Sequence, residues 1–346
     1  MSRVNCVGIV SLSSGMLGED FAQYQRELGQ KRLEAYGLKV KFMPNALKGI
    51  AYLSEHPEAR AADFIEAFRD PEIDLIMTAI GGDDTYRLLP YLFGNGELEA
   101  AVRGNEKPFL GFSDTTSNHL MLHKLGLPSF YGQAFLCELC ELAPEMLPYS
   151  RQFFEELIET GRIAEIRPSP VWYEERTDWG EAQRGVWPAA HENTGFALLQ
   201  GPPVFRGKIL GGCIDTIFDM FDGGRYADSP AVCARYGLFP SAEDWRGRIL
   251  LLESSEEKPS PEKYRQGLLY LKNEGVLEAV SGILAGKPQD EAYDTEYRTI
   301  LREVVDDPHK PIVCNLSVGH ALPRCIIPFG VEAEVDAGQQ RIRFWY

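Results

Sequence analysis

Through residue 125 the chain alternates short apolar runs with segments of helical periodicity, and this alternation restricts the fold more than any other feature. Residues 3–10 read as a buried strand, followed by a Ser/Gly turn at 11–15, a helix over 19–35 and a strand at 39–42. Ala61, Ala62, Phe64, Ile65 and Phe68 recur at helical spacing within 57–69. Asp70 and Pro71 end that helix before the apolar strand 75–79. A short helix is predicted near 85–91, then a strand at 108–112 and a helix from Asp114 to Leu125 that Gly126 terminates. Strands that are continuous apolar runs are covered on both faces, which implies βαβ units and a parallel sheet.

The remainder is organised differently. A helix fits 148–159, and from 161 to 206 the prolines 168, 170, 188, 202 and 203 and the tryptophans 172, 179 and 187 are separated by polar residues without helical periodicity. This is linker or lid composition. Strands are then predicted at 208–210, 248–253, 282–285 and 311–314, with a helix at 260–274. Two alternating stretches within 330–346 flank Asp336-Ala-Gly338, as in a hairpin or a pair of edge strands. The expected fold is α/β: an N-terminal parallel-sheet domain covered by helices over 1–165, a linker and active-site loop over 166–206, and a C-terminal mixed α/β domain with a β-rich sheet over 207–346. A length of 346 residues accommodates two such domains.

With 51 acidic against 35 basic residues, a formal charge of −16 argues against broad binding to nucleic acid or anionic membranes. The N-terminal apolar run lacks a signal-peptide cleavage pattern, and no later run approaches the roughly 18 residues of a membrane span, so a soluble cytoplasmic protein is expected. The seven cysteines (6, 137, 140, 213, 233, 314 and 325) are odd in number and dispersed, as expected of reduced thiols. Cys137 and Cys140 form one CxxC without a second pair at zinc-site spacing, which reads as packing, with redox or metal chemistry as the alternative.

The segment Lys107-Pro-Phe-Leu-Gly-Phe-Ser113-Asp-Thr-Thr-Ser-Asn-His-Leu120 passes from strand to helix at Ser113. Such a turn raises Ser113 above the sheet edge, beside N–H groups at a helix start that attract negative charge. That placement suits the nucleophile of an acyl transfer. A helix-capping serine explains the same pattern, and Thr115 stands where a GxSxG elbow has its second glycine. In Thr78-Ala-Ile-Gly81-Gly82-Asp83-Asp84-Thr85, paired glycines follow another strand, so Gly82 could offer an N–H to the same oxyanion, with an ordinary turn as the alternative. The phosphate-loop and dinucleotide glycine fingerprints are missing.

A serine hydroxyl needs a base, and six histidines are available. His56, His191 and His309 fall in polar stretches, while His119 and His123, on the helix after Ser113, read as surface or packing residues. His320 lies in Asn315-Leu-Ser-Val-Gly-His320-Ala-Leu-Pro323, a strand-end loop where a catalytic group can be held by a rigid scaffold, although a structural histidine would also fit. Glu253 ends the strand 248–253, where a carboxylate requires a partner that an imidazole could supply, unless it is simply a surface acid. Glu256 and Glu257 belong to the solvated loop beyond it or to substrate binding.

Taken together, these motifs resemble the LD-carboxypeptidase family of serine peptidases, and within it the microcin C self-immunity branch. The resemblance is carried by the Ser-rich loop after the first strand, Ala79-Ile-Gly-Gly-Asp-Asp-Thr-Tyr-Arg-Leu-Leu-Pro90, Gly111-Phe-Ser-Asp-Thr-Thr116, Ser129-Phe-Tyr-Gly132, Leu210-Gly-Gly212, Leu251-Leu-Glu253 and Gly319-His-Ala-Leu-Pro323. It implies a Ser113-Glu253-His320 triad, an oxyanion hole from the N–H groups of Gly82 and Asp114, a homodimer, and catalysis without a metal or other cofactor. It also implies a small-molecule substrate, either the amide-type bond between an aspartyl-like group and a modified nucleotide or a terminal D-residue of a murein peptide. A noncatalytic ligand-binding protein on the same fold is the alternative of a different class. Trp172, Trp179 and Trp187 are candidates for stacking a nucleobase, or for packing. Cys213 and Asp215 are candidate substrate contacts, with Cys213 standing where relatives often carry Asn.

Overall fold

The computed structural model describes residues 3–346. Five short parallel strands come from the N-terminal part of the chain: β1 (Cys6–Val10), β2 (Lys39–Phe42), β3 (Leu75–Thr78), β4 (Phe109–Gly111) and β5 (Ser129–Tyr131). All but β2 are buried along their length, as the apolar runs predict. Helices Gln23–Ala35, Pro57–Arg69, Thr116–Lys124 and Pro148–Thr160 accompany them. Pro57–Arg69 turns Ala61, Phe64, Ile65 and Phe68 inward, and Phe64 meets Phe109 of β4 at a ring separation of 5.4 Å.

The segment predicted as a linker is more structured than its composition implies. It contains β6 (Glu165–Ile166), a hairpin of β7 (Val171–Tyr173) and β8 (Ala190–Glu192), and β9 (Ala197–Gln200). The chain then adds β10 (Val204–Cys213), β11 (Ile249–Glu253), β12 (Gly282–Gly286), β13 (Ile312–Leu316), β14 (Ile327–Phe329), β15 (Glu332–Asp336) and β16 (Arg341–Trp345). The eight-stranded sheet runs β6-β16-β15-β10-β11-β12-β13-β9, with β10 to β13 parallel and the outer strands antiparallel. β15 and β16 form the C-terminal hairpin expected from the alternation.

β10 explains how one strand serves two environments. Its first half alternates exposed and buried residues while pairing antiparallel with β15; its second half, Ile209–Cys213, is wholly buried and pairs parallel with β11.

The six-stranded sheet has the expected parallel arrangement in β1 to β5 and gains one antiparallel strand. Its order is β14-β5-β4-β3-β1-β2, and β14 arrives from the far end of the chain to pair antiparallel with β5. Pro328 is tolerated because β14 is an edge strand. The two halves are thus tied at backbone level. Several helices lie outside the predicted elements, among them Ser229–Tyr236 and Asp294–Val305, the latter burying Tyr297, Ile300, Leu301, Val304 and Val305 at helical spacing.

The parallel cores of the two sheets place their carboxyl ends on a common cleft. Ser14 follows β1, Gly82 and Asp83 follow β3, Ser113 and Asp114 follow β4, Cys213 ends β10, and Ser255 to Glu257 follow β11; all line one cavity of about 230 Å³. Ligands of α/β sheets bind at such edges because loops and helix N-termini converge there.

Candidate active site

Ser113 leaves β4 at a sharp turn. Its φ of +66° is a left-handed conformation that non-glycine residues avoid, and the chain continues into the short 3₁₀ turn Ser113–Thr115 before helix Thr116–Lys124. Thr115 takes the place of an elbow's second glycine by donating its hydroxyl to Phe112 O at 2.6 Å, and Thr116 likewise donates to Ser113 O at 2.7 Å. These side-chain hydrogen bonds hold the turn against its strain.

His320 Nε2 lies 3.1 Å from Ser113 Oγ, and Nδ1 lies 2.8 Å from Glu253 Oε2. The backbone N–H of His320 also donates to Glu253 Oε2 at 3.2 Å. All three residues are buried, so the surface-acid alternative for Glu253 is excluded. Gly319 makes this possible: its φ is +81°, and a Cβ there would overlap the Glu253 carboxylate.

Sequence reasoning missed several residues that lock this array. Tyr131, at the end of β5, donates its hydroxyl to Glu253 Oε1 at 2.6 Å and accepts the N–H of Ser113 at 3.1 Å, joining nucleophile and acid across the two sheets. Cys213 N–H donates to Thr116 Oγ1 at 3.0 Å. Gly212 permits that approach, since a Cβ would overlap Thr116 Oγ1 and lie 2.9 Å from the Tyr131 ring. Arg324, buried, bonds Glu138 at 2.6 Å and the carbonyls of Gly319 and His320, while its guanidinium sits 4.6 Å from the Phe112 ring centroid. Ser13 donates to Asp114 Oδ2 at 2.7 Å and accepts the N–H groups of Asp83 and Asp84, bracing the glycine loop against the elbow. Gly81 is pressed so closely to the nucleophile that a Cβ would fall 2.8 Å from Ser113 Oγ and 3.2 Å from Asp114 N. Gly82 and Asp114 both face the cleft beside Ser113.

Electrostatics favour a charged imidazole in the free enzyme. Burial opposes the imidazolium, but the carboxylates of Glu253 and Glu256 outweigh it and lift the His320 pKa to about 10. Glu256 Oε2 lies 2.9 Å from Nε2, and this hydrogen bond draws the Glu256 pKa down to about 2. Burial first, then the nearby Glu253 charge, pushes the Tyr131 phenol and the Cys213 thiol well up, so both stay protonated. Donor atoms of Cys213, Glu253 and His320 fall within 4.8 Å of one another, close enough for a metal. The carboxylate and both imidazole nitrogens are instead occupied in the hydrogen bonds just described.

Trp172 is half-buried on β7, stacked on His191 at 4.4 Å with the Lys287 ammonium 5.2 Å from its ring centroid. Trp179 and Trp187 are exposed, and none of the three is among the residues lining the cleft. The hairpin that carries Trp172 nevertheless touches the catalytic loop, through a 2.9 Å bond from Tyr173 N–H to Leu322 O. Cys213 lines the cleft; Asp215 lies behind it, accepting Ser255 N–H at 3.0 Å and pairing with Lys263 at 3.2 Å. His119 is a packing residue, fully buried and bonded to Ser129 Oγ and Gly111 O. Cys137 and Cys140 are free thiols. No described helix is long and apolar enough to cross a membrane.

A strained serine at a strand end, bonded to a buried His–Glu pair within a two-sheet α/β fold, defines a serine peptidase. The chain belongs to the LD-carboxypeptidase family: residues 7–132 match its N-terminal domain and residues 206–335 its C-terminal domain. An MccF-like protein from Streptococcus pneumoniae, solved in complex with AMP, is 56% identical and superposes with a TM-score of 0.97, covering 99% of each chain. The microcin C7 self-immunity protein MccF of Escherichia coli is 26% identical over 91% of this chain and 86% of its own. A Vibrio cholerae protein named as a carboxypeptidase is 29% identical over 91% and 88%.

Proposed function

We propose that the protein hydrolyses the amide-type bond joining an aminoacyl group to a nucleotide-like leaving group, through an acyl-enzyme on Ser113. The observation that carries this is the Ser113–His320–Glu253 chain on a fold 56% identical to a protein that binds AMP. His320 takes the Ser113 proton as Oγ attacks the carbonyl carbon. Glu253 fixes the ring and favours the imidazolium, and the N–H groups of Gly82 and Asp114 receive the oxyanion. Collapse of the tetrahedral adduct breaks the C–N bond, and His320 passes its proton to the leaving nitrogen. Water, deprotonated by His320, then attacks the ester and releases the acid.

We place the nucleotide portion towards the β7–β8 hairpin, a reading supported by the bond from Tyr173 N–H to Leu322 O, which brings the segment carrying Trp172 against the catalytic loop. We also read the enzyme as a cytoplasmic homodimer, organised as 1–165, 166–206 and 207–346. Relative kcat/KM on aspartyl sulfamoyl adenosine and on a murein tetrapeptide tests the substrate, and preference for the tetrapeptide would assign the chain to the murein carboxypeptidases. Ser113→Ala should abolish turnover of whichever is cleaved while retaining its binding.

A further inference from the structure

Two carboxylates confront the two nitrogens of one imidazole: Glu253 at 2.8 Å from Nδ1 and Glu256 at 2.9 Å from Nε2. A neutral imidazole has one N–H and can donate to only one of them, so the arrangement is satisfied when both nitrogens carry protons. That form cannot accept the Ser113 proton. Around the ring, Glu253 is held by Tyr131, the His320 carbonyl by Arg324, the Phe112 ring packs 5.1 Å from the imidazole, and the Cys213 sulfur lies within 4.8 Å of the His320 and Glu253 donor atoms. Glu256 alone is more than half exposed, on the loop after β11. Across the cleft Arg225 is already surrounded by Asp219 at 2.9 Å, Glu257 at 2.6 Å and Asp83 at 3.4 Å. With Glu256 added, the cleft has an excess of carboxylates and is suited to a cation.

We infer that Glu256 is an exchangeable counter-ion, paired with the His320 imidazolium in the free enzyme and with a cationic group of the substrate, the α-ammonium of its aminoacyl part, in the complex. As Glu256 leaves, the Nε2 proton passes to bulk water and the nitrogen lone pair turns to Ser113. Substrates with a free amino group therefore switch on their own base. Glu256 acts through His320 and is a positioning residue; the inference rests on the triad reading above.

Inactivation by a fluorophosphonate tests it without an aminoacyl group. The rate in the wild-type enzyme should rise along an acid limb well alkaline of free imidazole, and in Glu256→Gln that limb should move to lower pH. Each unit of movement makes inactivation near neutrality roughly tenfold faster. Glu256→Asp should behave more like the wild type. With aspartyl sulfamoyl adenosine and its N-acetyl derivative, the wild-type enzyme should favour the free amine about tenfold or more in kcat/KM, and Glu256→Gln should lose the preference. Coincident limbs, or an amine preference that survives in Glu256→Gln, would overturn the inference. Failure of the probe to label Ser113 in the wild type would instead remove the nucleophile assignment, and the inference with it.

Discussion

Replacing Tyr131 by Phe deletes one oxygen atom and two hydrogen bonds that join the halves of the site. One is the 2.6 Å bond donated to the Glu253 carboxylate and the other is the 3.1 Å bond accepted from Ser113 N–H. The first is charge-assisted and worth about 1.5–3 kcal/mol; the second is neutral and worth about 1 kcal/mol. Both partners are buried, so the loss should total about 2.5–4 kcal/mol. With unfolding entropy near 2.1 cal/mol/K per residue, a 346-residue chain loses about 1.4 °C of Tm per kcal/mol, giving a fall of roughly 3–6 °C. Glu253, anchored on one side only, should orient His320 less well, and fluorophosphonate labelling of Ser113 should slow about tenfold or more. A double-mutant cycle with Glu253→Gln isolates the shared term, because the two residues touch. If Tyr131→Phe shifts Tm by less than about 1 °C and labels at the wild-type rate, the bridge between the sheets contributes nothing and the reasoning fails.

Gly319→Ala should cost roughly 1–2 kcal/mol for its left-handed backbone and, by displacing Glu253, lower kcat/KM about 100-fold or more; Gly37→Ala, at φ +77° with nothing within 4 Å, should cost similar stability and leave activity intact. Arg324→Ala strands the buried Glu138 carboxylate and should lower Tm by roughly 4–7 °C, from about 3–5 kcal/mol for a broken buried pair, as differential scanning calorimetry would register. Because the folded-state pKa of His320 is raised to about 10, its contribution to stability is complete below about pH 6.5, the free imidazole value, and is lost as pH rises towards 10. The Tm of the wild type should therefore fall more steeply over that window than that of His320→Gln; parallel curves would exclude the ion pairs as its cause.

What could be read from the chain followed from local pattern. Ser113 and Glu253 stand at the ends of apolar strands and His320 just beyond one, each in a short motif, so strand prediction and motif together located them. Tyr131 was visible in Ser129-Phe-Tyr-Gly132, but its role depends on a contact across 122 positions, and Arg324 reaches Glu138 across 186. Such pairings leave no periodic trace. β14 has three residues including Pro328 and β6 only two; neither has an intrinsic strand signal, and both are ordered by the partner they dock on. His119 read as surface or packing because helical spacing alone does not say which way that face turns. The tryptophans of the 161–206 segment drew notice by composition, whereas a hairpin decides their position.

The division of the site between two sheets has an energetic consequence. Ser113 hangs from the sheet of β1 to β5, while Glu253 and His320 follow β11 and β13 of the other, so neither half contains a working nucleophile. Their alignment depends on close contacts: Tyr131 with Glu253, Thr116 with the N–H of Cys213, Gly212 against the Tyr131 ring, and β14 sewn onto β5. Interfaces packed this tightly do not deform gradually, since a shift of a fraction of an ångström forfeits both packing and hydrogen bonds. Loosening the docking should therefore remove activity before either sheet melts. A denaturant series should show Ser113 labelling vanish ahead of the loss of strand and helix signal, and coincidence of the two would mean that the halves unfold as one unit.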